Sequence, residues 1–415
     1  MLWLLIGYML LFIHRPFEVW PSLAPYRIEL LYMLATGPVW LVASGKTWIA
    51  NRLHVAFFAF AAVVVLCWMV SPWSSHGELT VENYLKLLVF YVLLVTVVHD
   101  ERSLRRVVLA YLVIMFVYMG HSLWEYLNGR HVFRMGIARM VGVDSSFGDP
   151  NTFGGTLVYA LPFVVPFWKC APSRRLRWFL AGYVVLSVVC VALTGSRSSF
   201  VGLLFLSLVM ILRARRRGRL LVLAVLLAPL LWAALPPSLQ NRFETIINPA
   251  VGPANAQASA QGRLDGLMVG LRLWEENPLT GCGPGAWRPA SGRTVESHNL
   301  YGQVLGETGT LGALAFGGIL LGLWANLRRV KQVSRLRPEW AGDFPFELAR
   351  AVGLAVLLLL FLGNFGHNLF RYTWLWYGGF LIIARHCIEQ RLQAAPVALR
   401  PRPAVGAPWL VPVPG

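Results

Sequence analysis

Apolar runs of about 17–25 residues recur along most of the chain, and each is long enough to cross a bilayer as a helix. Lipid offers no hydrogen bonds, so a segment this long and this rich in Leu, Val and Phe must satisfy its own backbone as a helix. No alternating stretches of about 10 residues suggest a membrane β-barrel. Twelve segments qualify: about 1–14, 28–45, 53–71, 83–99, 107–124, 154–170, 178–194, 198–213, 219–236, 300–326, 348–364 and 369–387. The first and eighth are short, which leaves eleven as the alternative count. Met1 to Ile13 lacks a basic leader and reads as a first span, not a cleavable signal. The expectation is an all-α, polytopic membrane protein with about twelve transmembrane helices. A mean hydropathy of +0.58 and only 13% charged residues agree with it.

Charge placement sets the topology. A net charge of +18 invites a nucleic-acid reading, but the basic residues gather in short loops between apolar runs. Lys46 and Arg52 follow the second segment, Arg102 to Arg106 the fourth, and Arg174 to Arg177 the sixth. Arg213 to Arg219 follow the eighth, Arg328 to Arg337 the tenth, and Arg385 and Arg391 the twelfth. Every even-numbered exit is basic, so by the positive-inside rule those loops and both termini are cytoplasmic. The basic excess reports topology, and no nucleic-acid partner is expected. One membrane domain spans 1–390, with a large loop at 237–298 between the ninth and tenth helices. Residues 391–415 read as a Pro/Ala-rich disordered tail.

The odd-numbered exits face the opposite side, the periplasm of a bacterium, and they carry arginines against the usual tendency. Arg130, Arg134 and Arg139 lie in 125–154 near the turn Gly148-Asp149-Pro150-Asn151. Arg242, Arg263, Arg272, Arg288 and Arg293 lie in the large loop. Arg197 stands between two spans with no loop to carry it into water, and Arg371 follows Gly366-His367-Asn368. A charge at membrane depth is costly and suggests function. Guanidinium forks match phosphate oxygens, although anchoring to lipid headgroups explains such residues equally well. Only four lysines occur in the chain, so choosing Arg over Lys carries no site information.

Ser297-His298-Asn299 opens the tenth segment directly after the large loop. With Ser297 as helix cap, His298 falls in the first turn, where the positive end of the helix dipole disfavours imidazolium. A neutral imidazole accepts a proton, as a general base must; the plainer alternative is a capping or interfacial histidine. Gly302, Gly306, Gly309 and Gly312 follow at spacings that permit close helix approach. Glu307 lies on roughly the opposite helix face from His298, so the two form no simple dyad; an arginine on a neighbouring span or the lipid headgroups are its expected surroundings. Arg263 opens a helical stretch in which Leu264, Leu267, Met268, Leu271 and Trp274 share one face, expected to lie at the membrane interface. Gly281-Cys282-Gly283-Pro284-Gly285 reads as a bend, since no Lys-Ser/Thr follows to make a P-loop. Five dispersed cysteines show no metal or disulfide spacing. Neither a metal nor a cofactor is expected.

These residues resemble the superfamily of bacterial O-antigen ligases and polymerases. The ligases carry His-Asn, nine residues, then Gly-x-x-Gly after a large periplasmic loop; here His298-Asn299, nine residues and Gly309-Thr310-Leu311-Gly312 fit completely. Arg263, Leu273-Trp274, Asn277-Pro278-Leu279 and the glycine turn look like the segment preceding that histidine. Arg197-Ser198-Ser199 resembles the superfamily's arginine at a periplasmic helix end, with Val201 where Leu is usual. The likeness covers roughly residues 145–325. It implies the fold of multi-spanning lipid-linked glycosyltransferases and an inner-membrane enzyme facing the periplasm. The implied reaction is metal-independent, inverting transfer from an undecaprenyl-diphosphate-linked glycan to lipid A-core. Under the resemblance His298 is the base, and Arg197, Arg263 and Arg139 bind the diphosphate, with Asn299, Glu307, Asn151 and His367 in support. Polymerases and protein O-oligosaccharyltransferases share this donor chemistry and differ in acceptor, a second glycan or a protein. A transporter for anionic lipids is the reading from another class; it is disfavoured by the lack of an inverted repeat and of mid-bilayer charges.

Overall fold

Each of the twelve apolar segments is helical in the computed structural model, which describes residues 1–134, 136–144, 148–171, 173–214, 216–248 and 254–394. The chain runs through α1 (Leu2–His14), α2 (Pro16–Val19), α3 (Ile28–Val42), α4 (Arg52–Met69), α5 (Ser74–Val97) and α6 (Glu101–Leu127). A short hairpin, β1 (Val132–Arg134) and β2 (Ile137–Arg139), pairs antiparallel with Val132 opposite Arg139. Next come α7 (Pro150–Ala160), α8 (Val164–Lys169), α9 (Arg174–Leu193), α10 (Arg197–Arg213) and α11 (Arg217–Ala233). The large loop holds α12 (Pro237–Glu244), α13 (Ala254–Glu276) and α14 (Trp287–Ser291). The long α15 (Leu300–Leu336), α16 (Phe344–Gly363) and α17 (Tyr372–Ala394) complete the bundle. The protein is all-α apart from that hairpin. Seven helices among the described residues are long and apolar enough to cross a membrane. The segment at 154–170 is broken in two, with a 3₁₀ turn at Leu161–Phe163 between α7 and α8. Pro162 and Pro166 each remove an amide from the helical ladder there. Beyond Ala394 the expected tail lies outside the described residues.

Helices α16 and α17 form the buried centre. From Tyr372 to Ala384 every side chain of α17 is buried, and α17 packs on α5, α6, α15 and α16. Tyr111, Phe163, Trp376, Tyr377 and Phe380 interlock there through tilted and edge-on ring contacts, which favour a fixed arrangement.

The large loop is a packed helical layer. Helix α13 begins at Ala254, nine residues before Arg263, and lies along α15 while its Leu264 and Met268 remain exposed. Glycine makes that approach possible. A Cβ on Gly270 would stand 2.3 Å from the Gly302 carbonyl oxygen, and one on Gly302 would stand 2.2 Å from that of Gly266. Small residues at such a crossing let the backbones meet. Helix α15 then breaks at Gly309, whose φ of 60° and ψ of −159° suit only glycine. The 278–283 turn inserts at the break and takes over the backbone hydrogen bonds. Thr310 N–H donates to Pro278 O at 2.8 Å, Leu311 N–H to Leu279 O at 3.1 Å, and Cys282 N–H to Gly306 O at 2.8 Å. The kink therefore leaves these groups satisfied without water.

Gly302→Ala forces the two backbones apart. We predict a cost of ~1–3 kcal/mol, read as a fall of several degrees in the thermal midpoint of the purified protein. An unchanged midpoint would contradict this crossing.

Candidate functional site

The first turn of α15 is capped by Asn299, not by Ser297 as the sequence suggested. Asn299 Oδ1 accepts from Tyr301 N–H at 2.9 Å and from Gly302 N–H at 3.0 Å. The Asn side chain reaches two orphan amides, while Ser297 turns away to donate to the Asn299 carbonyl at 2.8 Å. His298 consequently sits just before the cap, still against the positive end of the helix. Asn299 acts as a scaffold for His298.

Glu307 is also placed differently from expectation. It is buried within α15, where one carboxylate oxygen accepts from Gly285 N–H at 2.8 Å and the other from Gln303 Nε2 at 3.3 Å. It thus ties the glycine turn, with positive φ at Gly281, Gly283 and Gly285, to the start of α15. Its observed partner is this backbone amide, and it does not line the pocket. Gln303 in turn accepts from Leu369 N–H at 3.4 Å, which links α15 to the loop between α16 and α17.

His298 lines an open pocket together with Asp149, Asn151, Thr152, Tyr159, Ser198, Ser199, His367, Asn368 and Arg371. The His298 and His367 rings lie 6.1 Å apart between centroids, tilted by 34°. Burial holds both imidazoles below their ordinary range. For His298 the Asp149 carboxylate opposes this, while Arg263 and Arg134 reinforce it. His367 is held at about 4, chiefly by burial and by Arg371. Both are neutral near pH 7. Asp149 also caps α7, accepting from Asn151 N–H at 3.1 Å and Thr152 N–H at 3.3 Å.

Arginines from four segments gather next to residues that line this pocket. Arg263, from α13, places its guanidinium 4.9 Å from the Phe365 ring centroid, a cation–π arrangement. Burial, with Arg197 and Arg242 adding to it, lowers its pKa to about 10. Arg197 is the buried first residue of α10 and donates to Thr245 Oγ1 at 3.1 Å. Arg242, from α12, donates to the Gly195 carbonyl and is held at about 10 by burial and by Arg197 and Arg134. Arg139, from β2, is held at about 9 by burial and then by Arg242. Its guanidinium donates to Thr194 O at 2.7 Å and Asn151 Oδ1 at 2.9 Å, which ties the hairpin to the ends of α9 and α7. Asn151 thus serves Arg139 as well as the pocket wall. Cations that depress one another in a partly dry site are stabilised by a bound anion.

Sequence reasoning singled out Arg197, Arg263 and Arg139 but not Arg242. Arg242 is placed by its neighbour Phe243, which stacks on Phe200 of α10 at 4.3 Å, and no local pattern in a loop of five arginines marks it. Arg272, Arg288 and Arg293 lie elsewhere, paired with Glu276 at 3.6 Å, Glu296 at 2.8 Å and Asp265 at 3.4 Å.

Residues 182–317, about a third of the chain, match the sequence model of the family described as O-antigen ligase. No curated protein matches the chain. The matched stretch includes Arg197, Arg242, Arg263 and His298, the Asn299 cap and the Gly309 kink. That match supports glycosyl transfer of the O-antigen ligase and polymerase type in general. With its apolar helices it is a multi-pass bacterial membrane protein.

The electrostatics predict opposite responses at His298. Arg263→Gln should raise the His298 pKa and Asp149→Asn should lower it, followed by histidine ring NMR titration of the purified protein. Shifts of the reverse sign would contradict the placement of these charges.

Proposed function

We propose that the chain transfers a glycan from undecaprenyl diphosphate to a sugar hydroxyl of lipid A-core, with inversion and without a metal ion, at the periplasmic face of the inner membrane. The observation that carries this reading is a neutral histidine in a polar pocket, with Arg263 and its neighbouring buried arginines beside it. In the transfer, His298 takes the proton of the attacking hydroxyl as the oxygen bonds to the anomeric carbon. The bond from that carbon to the diphosphate oxygen breaks, and its electron pair leaves with the diphosphate. Arg197, Arg263 and Arg242 neutralise the charge that develops there, with Arg139 bracing the hairpin beside them. A diphosphate is already a good leaving group, so preorganised guanidiniums are a sufficient electrophile. The basic even-numbered exits support cytoplasmic termini and a periplasmic site.

The test is in vitro transfer by purified protein given undecaprenyl-diphosphate glycan and lipid A-core together, with EDTA present and products separated by size. We expect a glycan ladder on lipid A-core, and a loss of at least ~10²-fold in His298→Ala with insertion unchanged. Longer glycan remaining on undecaprenyl diphosphate would replace the ligase reading with a polymerase. Inhibition by EDTA that a divalent ion reverses would overturn the metal-free mechanism.

A further inference from the structure

A second groove opens among the first helices, built from residues that the transfer reaction does not use. Helix α1 holds its two walls. The Tyr32 hydroxyl of α3 donates to the Leu4 carbonyl at 2.9 Å, and Tyr8 stacks on Phe90 of α5 with ring centroids 5.2 Å apart. The groove measures about 570 Å³ and is lined by Phe17 of α2, by Arg27, Glu29 and Met33 on the α3 side, and by Glu82 and Lys86 of α5. That volume falls within the ~300–1,000 Å³ typical of ligand pockets.

The four charges share one level in the membrane. Helices α3 and α5 are the second and fourth apolar segments, so both cross in the same direction. Arg27 and Glu29 stand where the run 28–45 begins, and Glu82 and Lys86 where the run 83–99 begins. The start of an apolar run is where headgroups meet hydrocarbon. Deeper along the same helices the surface is apolar, with Leu34 on α3 and Leu85 and Val89 on α5 exposed. An occupant therefore has a charged head and an apolar tail.

The kind of head follows from the charges. Each wall presents one cation and one carboxylate, Arg27 with Glu29 and Lys86 with Glu82. A purely anionic head would gain two cations and be repelled by two carboxylates, whereas a zwitterion matches all four. Carboxylates only accept hydrogen bonds, so the positive end must carry N–H groups, which a trimethylammonium lacks. Among the described residues, the side chains of Arg27 and Glu29 make no hydrogen bond or ion pair. Glu82 and Lys86 pair at 2.7 Å, but an exposed contact one helical turn apart is weak and yields to a better-matched ligand. Arg27 also stands at a φ of 45°, a left-handed backbone that non-glycine residues adopt at a cost and that recurs at ligand clamps.

We propose that this groove binds a phospholipid of the phosphoethanolamine type. Arg27 and Lys86 hold its phosphate, Glu29 and Glu82 its primary ammonium, and an acyl chain runs along Leu30 and Met33.

The test is native mass spectrometry of the full-length protein, offered phosphatidylethanolamine, phosphatidylcholine, phosphatidylglycerol and undecaprenyl diphosphate at equal concentration. The wild type is expected to retain phosphatidylethanolamine about tenfold better than phosphatidylcholine, the worth of one charge-assisted hydrogen bond. It is expected to prefer it over phosphatidylglycerol as well. Glu29→Gln and Glu82→Gln are near-isosteric changes outside the core; each should remove most of that preference while the lipid-free thermal midpoint stays at the wild-type value. Equal retention of the ethanolamine and choline lipids, or preference for phosphatidylglycerol, would overturn the proposal. So would an unchanged preference in both variants, which would put the lipid elsewhere. Loss of undecaprenyl diphosphate retention in the same two variants would make the groove a donor site and overturn it too.

Discussion

The crossing of α13 over α15 is the contact on which the site depends. Gly270 of one helix and Gly302 of the other meet the facing backbone at distances no side chain tolerates, and Gly266 and Gly306 extend the close approach. Arg263 lies about one turn before Gly266, and His298 about one turn before Gly302. A single backbone contact therefore fixes the spacing between base and guanidinium, which come from elements 35 residues apart. Side chains long enough to span a looser crossing would leave both groups free to wander, and positioning is worth several kcal/mol in such chemistry.

Other features support that crossing. Asn299 starts α15, Gly309 breaks it, and the 278–283 turn repairs the break through backbone hydrogen bonds. Glu307 pins the glycine turn and Gln303 the α16–α17 loop, so the turn, the helix and the histidine pocket move as one. The site gathers several guanidiniums in a largely buried setting. Burial and mutual repulsion lower Arg139 to about 9 and Arg242 and Arg263 to about 10, and an anionic ligand relieves both. Helix α12, docked through Phe200 and Phe243, and the hairpin, docked through Ile137, brace these residues.

Much of this was legible in the sequence. Apolar length alone placed the helices, because lipid leaves the backbone no alternative. The glycine spacing after His298 announced a close approach without naming α13 as the partner. The cap was misread, since Ser297 and Asn299 are both good capping residues and only the backbone geometry decides between them. Arg242 and the pocket role of Asp149 were hidden because tertiary packing selects them. Arg242 is one of five arginines in its loop, and Asp149 reads as an ordinary turn residue. Glu307 illustrates the reverse. A buried carboxylate in a span suggests an ion pair, yet backbone N–H and an amide side chain satisfy this one.

The central claim is that His298 is the base of the proposed transfer and that Arg197, Arg242 and Arg263 hold the donor diphosphate. The most direct measurement is a cryo-electron microscopy map of the protein with undecaprenyl diphosphate bound. The account predicts phosphate density against Arg197, Arg242 and Arg263. Phosphate density remote from all three guanidiniums would contradict it.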